Sequence, residues 1–136
     1  MVTPRDVEKV ALSMPKAVKE LRDDDRPAYL IDHKLFCFHR TQRKDAVHPA
    51  TGERLNDVLV FRVANEEMKA MWLAARPEVY FTTDHFNGHA SILTRIPFLA
   101  EIDAEELFEL VSDAWLACAP KRLAKQWLGE QGLDAT

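Results

Sequence analysis

Asp57-Val58-Leu59-Val60-Phe61-Arg62-Val63 is the stretch on which the fold turns. Leu59, Phe61 and Val63 point to one side of an extended chain, and Val58, Val60 and Arg62 to the other. Upstream, Thr41–Asn56 is polar and turn-rich, punctuated by Pro49 and Gly52. Before that lies a second apolar run, Leu35–Arg40, in which Phe36 and Phe38 share one face and Leu35, Cys37 and His39 the other. The simplest pairing of these two strands is an antiparallel hairpin with a long tip. Ala28–Asp32 supplies a further strand, joined to Leu35–Arg40 at His33-Lys34. Ala17–Arg22 alternates weakly, as a short edge strand would. Asp23-Asp24-Asp25-Arg26-Pro27 reads as a solvated turn, since it lacks the glycine and distal glutamate of a calcium loop.

Helices flank this run of strands. At the N-terminus Thr3 is placed to cap, Pro4 suits the first helical position and Asp6 sits where a capping carboxylate helps. Val7, Val10, Ala11 and Met14 then form one apolar stripe, and Pro15 ends it. Downstream of Val63, Asn65 caps a helix with Glu66 and Glu67 in its first turn. Its expected apolar stripe is Met68, Met71, Trp72 and Ala75, closed by Pro77. Val79–Thr82 and Ser91–Ile96 read as two more strands around Thr83–His89. Asp103 with Glu106 forms an Asp-x-x-Glu capping box, and the long helix behind it buries Leu107, Leu110, Val111, Ala114, Trp115 and Cys118. Lys121–Leu128 follows Pro120 as a short terminal helix.

Strands gathered in runs, rather than alternating with helices, predict a two-layer α+β fold. Its mostly antiparallel sheet carries helices on one face, in the order helix, three to four strands, helix, two strands, helix. One domain is expected over residues 1–128, with a frayed tail at 129–136.

Composition narrows the function classes. The chain has 18 Lys and Arg against 22 Asp and Glu, a net charge of −4, whereas duplex-binding domains are usually basic. Any nucleic-acid site must therefore be a local patch. No apolar stretch approaches the roughly 20 residues that span a bilayer, so no membrane partner is expected. Residues 1–6 run into charged residues and do not read as a signal peptide. Cys37 and Cys118 are far apart, each in an apolar run, which suits buried free thiols in a reducing cytoplasm.

Catalytic signals are weak. Ser13, Ser91 and Ser112 lie inside regular elements without a glycine-flanked elbow, and the four glycines form no phosphate-cradling loop. No cofactor is expected. His85 and His89 have a spacing that holds a metal on a helix, but Asn87-Gly88 makes the segment a turn. A metal is therefore not expected. The turn reads as structural, with His85 hydrogen-bonded within it and Asn87-Gly88 supplying positive φ, or as a ligand contact.

Basic residues do cluster. Arg40, Arg43, Lys44 and Arg54 outnumber Asp45 and Glu53 at the hairpin tip, where a protruding wing could track a phosphate backbone. Lys121, Arg122 and Lys125 make a second patch, for which complementation of a helix dipole is the ordinary explanation. Glu101, Asp103, Glu105, Glu106, Glu109 and Asp113 form an acidic face that phosphate would avoid.

Three stretches carry a family resemblance: Thr51-Gly52-Glu53-Arg54 with Asp57–Phe61, Phe81–His89 running into Ile92–Arg95, and Ala114–Leu123. In this order, behind an N-terminal Pro-x-Asp-Val helix, they resemble the MmcQ/YjbR family over nearly the whole chain. The resemblance implies a two-layer α+β fold described as secretion-chaperone-like or "double wing". It also implies a DNA-binding label, attached to members largely through their winged appearance, and no catalytic residues. His33-Lys34 replaces a frequent Gly-Lys turn, and Asp84 stands where proline is more usual. Two functions follow as expectations. One is weak, salt-sensitive DNA binding or regulation through the basic hairpin. The other is a module for a protein or small ligand with no nucleic-acid role.

Overall fold

The computed structural model describes residues 1–132. Helix α1 (Pro4–Ser13) starts at Thr3, whose hydroxyl and amide exchange hydrogen bonds with Asp6. The strands β1 (Val18–Arg22), β2 (Arg26–Ile31), β3 (Lys34–His39) and β4 (Val58–Arg62) follow. Helix α2 (Glu66–Ala75) leads to β5 (Ser91–Arg95), and α3 (Ala104–Cys118) and α4 (Lys121–Glu130) close the chain. The five strands form one antiparallel sheet in sequence order. All five residues of the edge strand β1 are exposed.

Helix α3 lies across β3 and β4, α1 packs against α3 and β2, and α2 reaches β5. The core between these layers holds Val7, Tyr29, Phe61, Ile92, Leu110 and Trp115. The Trp115 indole donates to the Pro15 carbonyl at 3.1 Å, fixing the end of α1 to α3. Trp127 of α4 packs on Trp115 with ring centroids 5.6 Å apart. On the opposite face Val58, Val60 and Leu93 make a smaller cluster. None of the α-helices among the described residues covers that face. Phe38, Leu55, Phe81 and Phe86 shield it instead.

Several expectations need correction. Phe36 and Phe38 do not share a face. Tyr29 pairs with Cys37 but Leu30 pairs with Leu35, which leaves Phe36 as the extra residue of a bulge. The bulge turns both Phe36 and Cys37 into the helix-side core, while Phe38 joins the opposite cluster. The β2–β3 turn centres on Asp32-His33, not His33-Lys34. Both residues have positive φ (51° and 66°), as in a type I′ turn.

Val79–Thr82 is not a strand. Its first two amides donate to the Arg76 carbonyl in a turn, and only Phe81 pairs with Leu93. In α2 the buried residues are Lys69 and Trp72, while Met71 is exposed. The Asp103 capping box is half-formed: Asp103 accepts from the Glu106 amide, but Glu106 binds Arg76 and the Tyr80 hydroxyl. The tail expected from residue 129 is helical through Glu130, and residues 133–136 lie outside the described residues.

Leu110 is 1% exposed in the middle of α3. Leu110→Ala should lower unfolding stability by about 2–5 kcal/mol, the usual range for a buried leucine. Urea denaturation measures this, and a loss under about 1 kcal/mol would contradict the packing.

Candidate functional site

The long connection between β3 and β4 is an ordered structure in its own right. The Arg40 amide continues the ladder to the Val58 carbonyl at 2.8 Å, and Leu55 donates to Ala46 at 2.9 Å. At the tip His48 donates to Glu53, and Gly52 returns to His48 with a φ of +72° that favours glycine. Ala46 is buried and Leu55 half-buried, so the tip folds back on the sheet.

One carboxylate joins this hairpin to the segment before β5. Asp45 Oδ2 accepts from Arg40 Nη2 at 2.8 Å and from the Thr83 hydroxyl at 2.7 Å. The Arg40 hydrogen bond, with help from Thr83, holds the Asp45 carboxyl down at about 2. Arg40 is 6% exposed, and its guanidinium sits over the Phe86 ring, 5.1 Å from the centroid. From the other side, Lys69 of α2 donates its ammonium to the carbonyls of Phe86 (2.7 Å) and His89 (2.8 Å). Asn87 (φ −60°) and Gly88 (φ +79°) form a type II turn closed by the His89 amide on the Phe86 carbonyl.

The hairpin tip and the His85 turn, read separately in the sequence, meet here. Arg43, Lys44 and Arg54 are exposed and surround a recess of about 410 Å³ that His85 also lines. None of the three cations has a carboxylate within ion-pair distance among the described residues. Arg40 is the exception among the four hairpin cations, being buried and paired. His85 packs edge-on against Phe86 at 5.2 Å, and His89 stacks parallel to His85 at 6.5 Å. The expected hydrogen bond from the His85 side chain does not occur among the described residues. Asn87 and Gly88 shape the turn, with positive φ at Gly88 alone. No cluster of three or more His, Cys, Asp or Glu side chains suits a metal among the described residues.

Lys121 and Arg122 lie elsewhere. They occupy the first turn of α4, the positive end of its dipole, so dipole complementation does not explain them. Arg122 shares a recess of about 490 Å³ with His33, Leu30 and Leu123, beside the β2–β3 turn. That turn and the start of the β3–β4 connection are at opposite ends of β3, a strand about 17 Å long. The two basic patches do not merge.

Lys69, Phe86 and Thr83 carry no motif that marks them as site residues. A signal for Lys69 was present: it stands three residues before Trp72 and so shares the helix face that Trp72 buries.

A family model described as YjbR matches residues 12–117. The chain belongs to the YjbR family. Three uncharacterized proteins, from Mycobacterium bovis and two strains of Mycobacterium tuberculosis, are each 35% identical over 136 residues, covering 97% of this chain and 100% of their own. The crystal structure of a Deinococcus radiodurans protein with a DUF419 domain superposes with a TM-score of 0.59 at 18% identity. That match covers 98% of this chain and 90% of that one. It carries the fold and nothing finer. The described helices of this YjbR protein include none long and apolar enough to cross a membrane.

Asp45 gives a test of the junction. Its folded pKa is lowered, so its contribution to stability is present above the ordinary carboxylate range and lost as pH falls toward about 2. Asp45→Asn should cost about 1–3 kcal/mol at neutral pH, because Arg40 loses its charged acceptor. The gap between wild type and variant should close as the pH of denaturant titrations drops from about 4 toward about 2.

Proposed function

We propose that this protein is a binding module that holds the phosphate backbone of a nucleic-acid strand against the tip of the β3–β4 hairpin. The observation that carries this reading is the set of three free, exposed cations, Arg43, Lys44 and Arg54, around one recess of a chain with net charge −4. Buried Arg40 acts as a positioning residue, holding Asp45 and Phe86 so that the tip keeps its shape. Arginine and lysine neutralise phosphates and release their counterions, which makes such binding salt-dependent without requiring base recognition. The acidic first turn of α3 lies on the helix layer, away from the loop-covered face.

A second reading has its own support. The recess beside Arg122 is the larger of the two, and Val18, Leu30, Ile31 and Leu123 give it an apolar lining. This favours a protein or small apolar ligand there, with no role for nucleic acid.

Fluorescence anisotropy with a generic duplex and a single strand separates the two. Three phosphate contacts imply a log–log salt slope of about −2.7 on duplex DNA. Changing Arg43 and Lys44 together to Ala should flatten it by about 2 units and leave the melting temperature unchanged, since exposed charges add little to folding. Absence of binding to either strand form at about 50 mM salt and about 100 μM protein would overturn the first reading in favour of the second.

A further inference from the structure

A smaller recess lies beside the hairpin tip, between β2, β3 and the turn carrying His85. It encloses about 260 Å³ and is lined by Arg22, Arg26, Arg40 and Arg43, with Asp23 as its one carboxylate. Ala28, Leu35, Phe38 and Phe86 supply an apolar wall.

Two of these arginines are unusual. The Arg26 Nε and Arg40 Nη1 groups are both buried, and neither has a hydrogen-bond partner among the described residues. One nitrogen of each guanidinium is engaged. Arg26 Nη1 donates to the Asn56 carbonyl at 2.7 Å and Arg40 Nη2 to Asp45 at 2.8 Å, so both are anchored with a donor left over. A buried donor without an acceptor costs about 1–3 kcal/mol, more for a charged group. Those buried atoms present no surface to a ligand; it is the four guanidiniums around one recess, against a single lining carboxylate, that favour an acceptor with several oxygens pointing in different directions. A phosphate monoester has that form, and arginine is the side chain best matched to it. A bare phosphate would leave the wall of Phe38, Ala28 and Leu35 uncovered, whereas a flat ring attached to the phosphate would lie against it.

We infer that this recess is a binding site for a small ligand joining a phosphate monoester to a flat ring, the chemistry of a nucleoside monophosphate. Arg26 and Arg40 hold the phosphate, Phe38 and Phe86 take the ring, and Arg22 and Arg43 add attraction at the rim. The two recesses share Arg40, Arg43 and His85, but Arg26 and Arg22 line only this one and Lys44 and Arg54 only the tip recess.

Titration of the whole protein with adenosine 5′-monophosphate, adenosine and inorganic phosphate, followed by calorimetry and amide chemical shifts, tests the assignment. The monophosphate should bind with a Kd of about 0.1–1 mM, and adenosine and phosphate each about tenfold more weakly. Shifts should centre on residues 26–28, 38–40 and 85–86. Arg26→Gln should weaken the monophosphate about tenfold or more, as expected for loss of a charged hydrogen bond. Because Arg26 also holds Asn56, the exposed Arg22→Ala serves as a variant that does not threaten the fold, and it should weaken binding about twofold to fivefold. Lys44→Ala with Arg54→Ala should leave the monophosphate untouched while reducing the salt slope on DNA. No shifts at about 5 mM monophosphate, shifts centred elsewhere, or phosphate binding as tightly as the monophosphate would each overturn the inference.

Discussion

Strand β4 has no solvent face until Arg62. Leu59 and Phe61 go into the helix-side core and Val58 and Val60 into the opposite cluster, all at 2% exposure or less. A strand that is apolar on both sides needs two covers, and the helices supply one. The second must come from connecting chain. The β3–β4 loop brings Leu55 and the segment before β5 brings Phe81 and Phe86. Covering β4 thus places the hairpin cations beside His85. The candidate site is a by-product of that hydrophobic requirement.

Connecting chain makes a poor cover unless its polar groups are satisfied, and two buried cations do this here. Lys69 is a second donor to two turn carbonyls, each of which also accepts a backbone amide, and Arg40 takes Asp45 while lying on Phe86. Both side chains are about 95% buried, a state that long cations adopt when their charge is paired or hydrogen-bonded. Asp45 then bridges to Thr83, so the two loops are held to each other as well as to the sheet. Apolar contact sets where the loops lie. Charged hydrogen bonds set their shape.

This division explains what could be read from the sequence. The order of elements, the caps at Thr3, Asn65 and Asp103 and the apolar stripe of α3 follow from periodicity and local chemistry, which are carried by neighbouring residues. The Phe36 bulge was not readable, because strict alternation and a bulge differ only in how β2 pairs with β3. The same holds for Phe81, whose segment has strand-forming residues but spends its amides on Arg76. At the candidate site, Arg43, Lys44, Arg54 and His85 were legible as chemistry-bearing residues. Their meeting, and the burial of Arg40 between them, depended on contacts across 38 or more positions such as Asp45 with Thr83, which no local pattern records.

The grip of Lys69 on the His85 turn bears on how the molecule comes apart. Surface turns usually open on their own at little cost, ahead of the elements they join. Here the turn's two carbonyls are held by a residue one turn before Trp72, whose ring packs on Tyr80 at 5.3 Å. Releasing the turn strips a buried ammonium of its acceptors, and unwinding α2 strips each of the two carbonyls of its charged donor. The helix and the turn are therefore expected to open together, with amide hydrogens in residues 66–75 and 86–89 exchanging through a common event.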